Sequence, residues 1–145
     1  MNLSKSQYTK YRSCPKRLWL YRNKKEVLTP PSPALQKIFD RGHFIGELAW
    51  KRFPGGVLVK DGYQKPQEAL KRTQELMAQG VAAIYEAAFA YNGILVFVDI
   101  LEKTPTGWNL VEVKSSGREI DPIYVDDISI QRYVLAHCGV TPEHC

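Results

Sequence analysis

Three charged side chains interrupt two apolar runs in the segment GILVFVDILEKTPTGWNLVEVKSSG, which covers residues 93–117. Asp99 follows ILVFV, and Glu112 and Lys114 follow NLV. Carboxylates in such positions supply the oxygen ligands that Mg²⁺ and Mn²⁺ prefer. A lysine beside them is expected where a water is oriented for hydrolysis or where negative charge develops on phosphorus. The segment predicts a hydrolytic metal site, and solvated faces of an exposed meander are the alternative.

Turn signals on both sides of Asp99 predict its neighbours in a sheet. Asn92-Gly93 is typical of a two-residue hairpin, and pairing outward from it places Asp99 opposite Glu86. A turn centred in TPTG, residues 104–107, places Asp99 opposite Glu112 as well. Opposed carboxylates about 5 Å apart destabilise a sheet unless they share protons or bind a cation. A one-residue slip in the longer turn would send Glu112 to the other face.

The same register places Lys114 two residues beyond Glu112, on the face that carries the three carboxylates. The apolar residues before Asp99 and Glu112 indicate that both strands are buried on at least one side. Burial favours the metal site over a solvated surface, because charges are rarely left unpaired in an apolar environment.

The elements that position these residues can be predicted from caps, turns and periodicity. Ser4 and Gln7 form a capping box that starts a helix near Lys5, and Pro15 breaks that helix or starts a second one. Further helices are expected over residues 33–52, 66–79 and 122–138, and strands over residues 57–60, 81–91, 94–103 and 108–116. This order predicts an α/β domain with one central sheet over residues 1–145.

Composition is typical of a globular protein: 145 residues, 44% hydrophobic and 24% charged. No apolar run approaches the roughly 20 residues of a membrane span, and the first residues lack the apolar region of a secretory signal. Three cysteines do not make a disulfide framework, which favours a cytoplasmic setting.

Positive charge is concentrated at the N-terminus. Eight of the 20 lysines and arginines lie in residues 1–25, which hold no acidic residue, whereas the other 12 are outnumbered by 15 acidic residues. A basic end on a mildly acidic body indicates contact with a polyanion. A solvated helix face is the alternative.

The motifs together resemble a known family. Asp99, 12 intervening residues and Glu-Val-Lys at 112–114 resemble the Asp…(Asp/Glu)-x-Lys signature of the PD-(D/E)XK nuclease superfamily. Its RecB-like branch, which includes CRISPR-associated RecB-like exonucleases, is similar in three further segments: SKSQYTKYRSCPKRLWLY at 4–21, GHFIGELA at 42–49 and DDISIQRY at 126–133. The chain resembles in particular the N-terminal nuclease domain of bacterial proteins of unassigned function.

The resemblance implies a restriction-endonuclease-like core, in which helices flank a central mixed sheet with an antiparallel three-stranded meander. It implies a metal-dependent enzyme that hydrolyses DNA, as an exonuclease in repair or defence. The implied catalytic residues are Asp99, Glu112, Lys114 and Gln131. The implied ligands of one or two Mg²⁺ or Mn²⁺ ions are His43, Asp99, Glu112, the carbonyl of Val113, and Glu86.

The resemblance also implies a separate role for each of these side chains. Lys114 would position and activate the attacking water, and Gln131 would contact that water or the DNA. The basic N-terminal helices would hold single-stranded DNA or a DNA end through phosphate contacts and stacking, using Lys5, Tyr8, Tyr11, Arg12, Lys16 and Arg17.

Some RecB-like nucleases hold an iron–sulfur cluster with one early and three late cysteines. Cys14 matches the early position, and Cys138 and Cys145 match two late ones. A cluster usually needs four thiolates, so a complete one is not expected here. RecB-like cores often continue with further strands, so we expect a chain truncated at its C-terminus, completed by a second copy or by a partner chain.

Two other functions remain open at this point. One is a non-catalytic nucleic-acid-binding module that retains the fold, and the other is a different reaction on the same strands. The complete set of Asp99, Glu112, Lys114 and His43 favours an enzyme, because a decayed site usually loses at least one member. DNA is not distinguished from RNA, nor an exonuclease from an endonuclease.

Overall fold

The computed structural model describes residues 3–115 and 121–145. In chain order the elements are β1 (Leu3–Ser4), α1 (Lys5–Ser13), α2 (Pro15–Asn23), a 3-10 helix (Lys25–Val27), α3 (Pro33–Trp50), β2 (Gly56–Leu58), α4 (Pro66–Gln79), β3 (Ala83–Tyr91), β4 (Ile94–Lys103), β5 (Trp108–Val111) and α5 (Pro122–His137). The predicted α/β class is therefore confirmed, and β1 is an addition that the sequence did not indicate.

The sheet is mixed, as expected. β3, β4 and β5 form the antiparallel meander, β2 runs parallel to β3, and β1 runs parallel to β4. β1 and β5 share the edge of β4 that faces away from β3. β1 pairs with the first two residues of β4, and β5 pairs with the last four residues of β4. Between them, residues 96–99 of β4 have no strand partner on that edge among the described residues.

Both predicted hairpin registers are confirmed. Ala87 lies opposite Val98, as the Asn92-Gly93 turn predicts, and Ile100 lies opposite Val111, as the TPTG turn predicts. The ladder between β3 and β4 is interrupted at Glu86, which has φ 56°, but the pairs on both sides keep one register. A positive φ is uncommon for a side chain of this kind and marks local backbone strain.

Helix boundaries follow the predicted caps closely. The Ser4 side chain accepts a hydrogen bond from the backbone N–H of Gln7, and the reciprocal bond of the capping box is also present. Proline is the first residue of the next four α-helices. Several predicted boundaries need correction. The helix α3 ends at Trp50 rather than at residue 52, and α5 ends at His137 rather than at residue 138. The strand β2 covers Gly56–Leu58 rather than residues 57–60, and β3 begins at Ala83 rather than at residue 81. The strand β5 ends at Val111, so residues 112–115 lie outside it. Residue 116, the expected end of that strand, falls outside the described residues.

The core lies mainly between the sheet and the helices α4 and α5, where Leu76 and Leu135 pack with Ile84. On the other face, Trp50 of α3 stacks on Tyr85 with ring centroids 4.8 Å apart. The helices α1, α2 and α3 contain no fully buried residue. In the described ranges, no helix combines the length and the apolar character needed to cross a bilayer.

Candidate active site

A cleft of about 690 Å³ opens where the meander meets α1 and α3. Most of the predicted site lines it: Lys5, His43, Glu86, Asp99, Glu112, Val113 and Lys114. Leu58, the last residue of β2, and residues 59–64 after it line another side of the cleft. Side chains that are as many as 109 positions apart in the chain therefore face one space.

A hydrogen bond to Asp99 holds the segment after β5 against β4. The backbone N–H of Val113 donates to Oδ2 of Asp99 at 2.7 Å. Because β5 has already ended at Val111, residues 112–114 are not committed to a strand ladder. This bond continues the register beyond the last ladder pair and keeps Glu112 and Lys114 beside Asp99.

Two carboxylates and two ammonium groups form a closed ring of alternating charge, which we call the charge ring: Lys5, Glu112, Lys114 and Asp127. The Lys5 ammonium lies 3.0 Å from Glu112 and 3.3 Å from Asp127. Lys114 contacts the same two carboxylates, at 2.8 Å in the case of Asp127. The side chains of Glu112 and Asp127 are only 5% and 10% exposed, so these are nearly buried ion pairs.

Gln131 supports this ring from α5. Its side chain is fully buried, and Nε2 donates to Glu112 at 2.8 Å and, more weakly, to Asp127 at 3.4 Å. Among the described residues Oε1 of Gln131 has no hydrogen-bond partner. A buried amide held to a carboxylate in this way restricts the rotamer of Glu112.

At two carboxyl groups of the cleft, the nearby lysines only partly offset the effect of burial on the pKa. Burial, and then the charge of Glu112, raise the pKa of Asp99 to about 6, although the hydrogen bond from Val113 works against this shift. Burial, and then the charge of Asp99, raise the pKa of Glu86 to about 7. Raised carboxyl pKa values indicate a site that favours either a proton or an added cation.

The surroundings of Glu112 and Lys114, by contrast, favour the charged form of each side chain. Burial alone would raise the pKa of Glu112, but Lys5, Gln131 and Lys114 outweigh it and hold that pKa below its usual value. Burial would lower the pKa of Lys114, but hydrogen bonds to Asp127 and Glu112 raise it instead. Lys114 is therefore an ammonium group, which can donate hydrogen bonds and stabilise anions but cannot accept a proton.

The donor chemistry of the cleft fits a hard divalent cation. Glu86, Asp99 and Glu112 offer only oxygen atoms, and the exposed His43 adds a nitrogen from α3. Within residues 3–115 and 121–145, however, no three such groups are arranged so that they could hold a metal ion. Glu112 is engaged by two ammonium groups instead. A divalent cation would therefore compete with Lys5 for this carboxylate.

The expected nucleic-acid contacts are divided between two environments. Lys5 lies in the charge ring rather than on an exposed helix face. Arg12 pairs with Asp126 at 3.0 Å on the surface. Tyr8 is half-buried, and the other three residues are exposed: Tyr11, Lys16 and Arg17.

The three cysteines are free, exposed and located on different segments. Cys14 separates α1 from α2, Cys138 follows α5, and Cys145 lies outside the helices and strands. The Cys138 thiol lies 3.5 Å from the carbonyl oxygen of Ala90.

Asp127 is the site residue that the sequence reasoning missed. It lies four positions before Gln131, so both side chains share one face of α5, and this spacing was the available signal. The neighbouring Asp126 points away and pairs with Arg12. Comparisons with protein-family models, with curated proteins and with solved structures give no match for this chain.

Proposed function

We propose that this protein is a metal-dependent nuclease that hydrolyses DNA phosphodiester bonds in the cytoplasm. The observation that carries the proposal is the meeting of Glu86, Asp99, Glu112 and Lys114 in one cleft. The proposal includes a restriction-endonuclease-like core and membership of the RecB-like branch of the PD-(D/E)XK superfamily, which rest on the motifs and on the mixed sheet.

The proposed metal ligands rest on the family resemblance, and the proposed roles of Lys114 and Gln131 rest on their contacts in the cleft. Asp99, Glu112 and Glu86, with His43 and the Val113 carbonyl, would hold Mg²⁺ or Mn²⁺. A bound cation would supply Lewis-acid stabilisation of negative charge at the scissile phosphate. Lys114, kept protonated by Asp127 and Glu112, would orient the attacking water and stabilise the developing charge. Gln131 would fix the orientation of the Glu112 carboxylate.

The proposed substrate is single-stranded DNA or a DNA end, cleaved as by an exonuclease in repair or defence. Its support is the basic N-terminal region, in which Tyr11, Lys16 and Arg17 are exposed. Cationic and aromatic side chains on one surface suit phosphate contacts and base stacking. Lys5, on the same helix as Tyr11, lines the cleft.

A non-catalytic nucleic-acid-binding module is the second candidate. It is favoured by the charge ring, in which Lys5 and Lys114 already neutralise Glu112 and Asp127 without a metal ion. In such a module the ring would be a structural connection between α1, α5 and the end of the meander.

A cleavage assay distinguishes the two candidates. End-labelled single- and double-stranded DNA, and RNA in parallel, are incubated with the protein in Mg²⁺, Mn²⁺ or EDTA. We expect cleavage of DNA that needs the divalent cation and falls at least about 100-fold in Lys114→Ala. Lys71→Ala, on the exposed face of α4, is the matched control and keeps full activity.

The product ladder separates exonuclease from endonuclease action. Absence of cleavage by folded wild-type protein, together with retained DNA binding, would support the binding module instead. Cleavage that persists in EDTA would contradict the metal-dependent proposal.

A further inference from the structure

A second cavity of about 500 Å³ lies on another side of α1. It is lined by residues of α1, α2, the 3-10 helix and the residue that follows it: Gln7, Tyr21, Arg22, Lys25 and Leu28. The Lys10 ammonium lies over the Tyr21 ring, 4.3 Å from the ring centroid. The cavity therefore combines cationic groups with an aromatic ring and an aliphatic side chain.

The positive charge around this cavity is uncompensated. None of the described acidic residues lines it, and the acidic residue nearest to it in the sequence, Glu26, pairs with Lys24 at 3.4 Å. Within the described part of the chain, Arg22 and Lys25 have no ion-pair partner. Burial, and then the charge of Arg17, lower the pKa of Lys10.

We propose that this second cavity is a phosphate-binding subsite for a nucleic-acid strand whose reacting phosphate lies in the cleft. Arg22 and Lys25 bind backbone phosphates, and Tyr21 and Leu28 offer an apolar surface to a sugar or base. The assignment deepens the proposed nuclease function and depends on it for the identity of the strand.

The helix α1 connects the two sites. Lys5 lines the cleft and Gln7 lines the second cavity, and two positions in an α-helix differ by about 200° in direction. The sites are therefore on nearly opposite sides of one helix, which is about 10–12 Å wide. A single strand that reaches both sites must pass around α1, so several nucleotides separate the phosphates that occupy them.

Salt-dependent binding tests the subsite. Fluorescence anisotropy of a short labelled oligodeoxythymidylate is measured in EDTA, so that no cleavage occurs, over a range of salt concentrations. The double variant Arg22→Ala/Lys25→Ala should bind at least about tenfold more weakly at low salt. The slope of the logarithm of its binding constant against the logarithm of salt concentration should fall in magnitude by about 1.4. Each lost phosphate contact on a single strand removes about 0.7 from this slope. The control Lys71→Ala/Arg72→Ala removes the same two residue types from α4 and should change affinity less than about twofold.

The outcomes separate the subsite from the catalytic proposal. Equal binding by the double variant and its control would overturn the subsite, whether or not the wild-type protein cleaves DNA. Loss of binding in the double variant, with a wild-type protein that never cleaves, would support the subsite and overturn the nuclease. No binding by the wild-type protein, or full displacement by a nucleoside triphosphate, would also overturn the strand-binding subsite.

If the double variant does not fold, as judged by circular dichroism, Arg22→Gln and Lys25→Gln are measured singly, and each should lower the slope by about 0.7.

Discussion

Asp99 and Glu86 are the two carboxyl groups of the candidate site whose pKa values are raised. Each is a carboxyl group next to another, and neither takes part in the charge ring. Their pKa values rise to about 6 and about 7, primarily because of burial. Glu86 also has a positive φ, so both the backbone and the side chain at this position are held at some cost in free energy. Such a cost is common at functional sites and rare in purely structural strands.

Stability should depend on pH through Glu86. Its folded-state pKa is raised from 4.5 to about 7, so its contribution is fully present below the unfolded-state pKa and is lost as pH rises through 7. Glu86→Gln should therefore raise the free energy of unfolding at pH 8, in EDTA, by about 1–2 kcal/mol, a value reduced for the half-buried position. At pH 4 the effect should vanish. Urea unfolding at both pH values measures it.

The control for this experiment is Glu68→Gln on the exposed face of α4, which should change stability by less than about 0.5 kcal/mol at either pH. A Glu86→Gln variant that is destabilised at pH 8 would show that the ionised carboxylate has a stabilising partner, contrary to the electrostatics of the cleft.

At the scale of elements, the site depends on where strands stop. β1 and β5 leave residues 96–99 of β4 without a strand partner on one edge in the described part of the chain, and β5 ends before Glu112. The segment 112–114 can therefore reach both α1 and α5, which supply Lys5 and Asp127 to the charge ring. A longer β5 would have placed these side chains in a ladder instead.

Replacement of Asp127 tests whether α5 positions Lys114. Asp127→Asn should lower kcat for metal-dependent cleavage by about 10- to 100-fold with little change in KM, because Lys114 loses one of its two charged partners but the DNA surface is intact. Asp126→Asn is the matched control, since the adjacent carboxylate pairs with Arg12 on the surface and does not contact the ring. Asp127→Glu should restore part of kcat. Equal loss in both Asn variants, or a loss confined to KM, would contradict the positioning role.

At the scale of the whole molecule, charge is divided along the chain. The basic residues of the first 25 positions lie on α1, α2 and the segment after them, and the acidic residues lie mainly on the later elements. α1 belongs to both regions, because Lys5 faces the cleft while Gln7 faces the second cavity. A polyanion attracted to the basic region would therefore arrive next to the cleft carboxylates.

Cation binding should stabilise the whole fold. At a Mn²⁺ concentration about 100 times its dissociation constant, linkage adds about 2.7 kcal/mol, which corresponds to a rise of roughly 5–10 °C in Tm. Differential scanning fluorimetry should show this rise in the wild-type protein and its reversal by EDTA. Asp99→Asn should abolish it, whereas Asp40→Asn, on the exposed part of α3, should retain it. A wild-type Tm that does not respond to Mn²⁺ or Mg²⁺ would contradict the proposed metal site.

Local signals in the sequence determined the elements and the alignment of the carboxylates. Ser4, the helix-starting prolines and the Asn92-Gly93 turn act over a few residues, so their effects on helix starts and hairpin register could be predicted. The pairing across β3, β4 and β5 followed from those turns alone.

Only the tertiary structure decided what surrounds the carboxylates. Lys5 and Asp127 join the charge ring from helices that are more than 100 positions apart, and no local pattern encodes such a meeting. The end of β5 at Val111, after which the N–H of Val113 donates to Asp99, was likewise not indicated by strand propensity. Long-range ion pairs and strand ends are set by packing, because many helix placements satisfy the same sequence periodicity and the fold selects one of them.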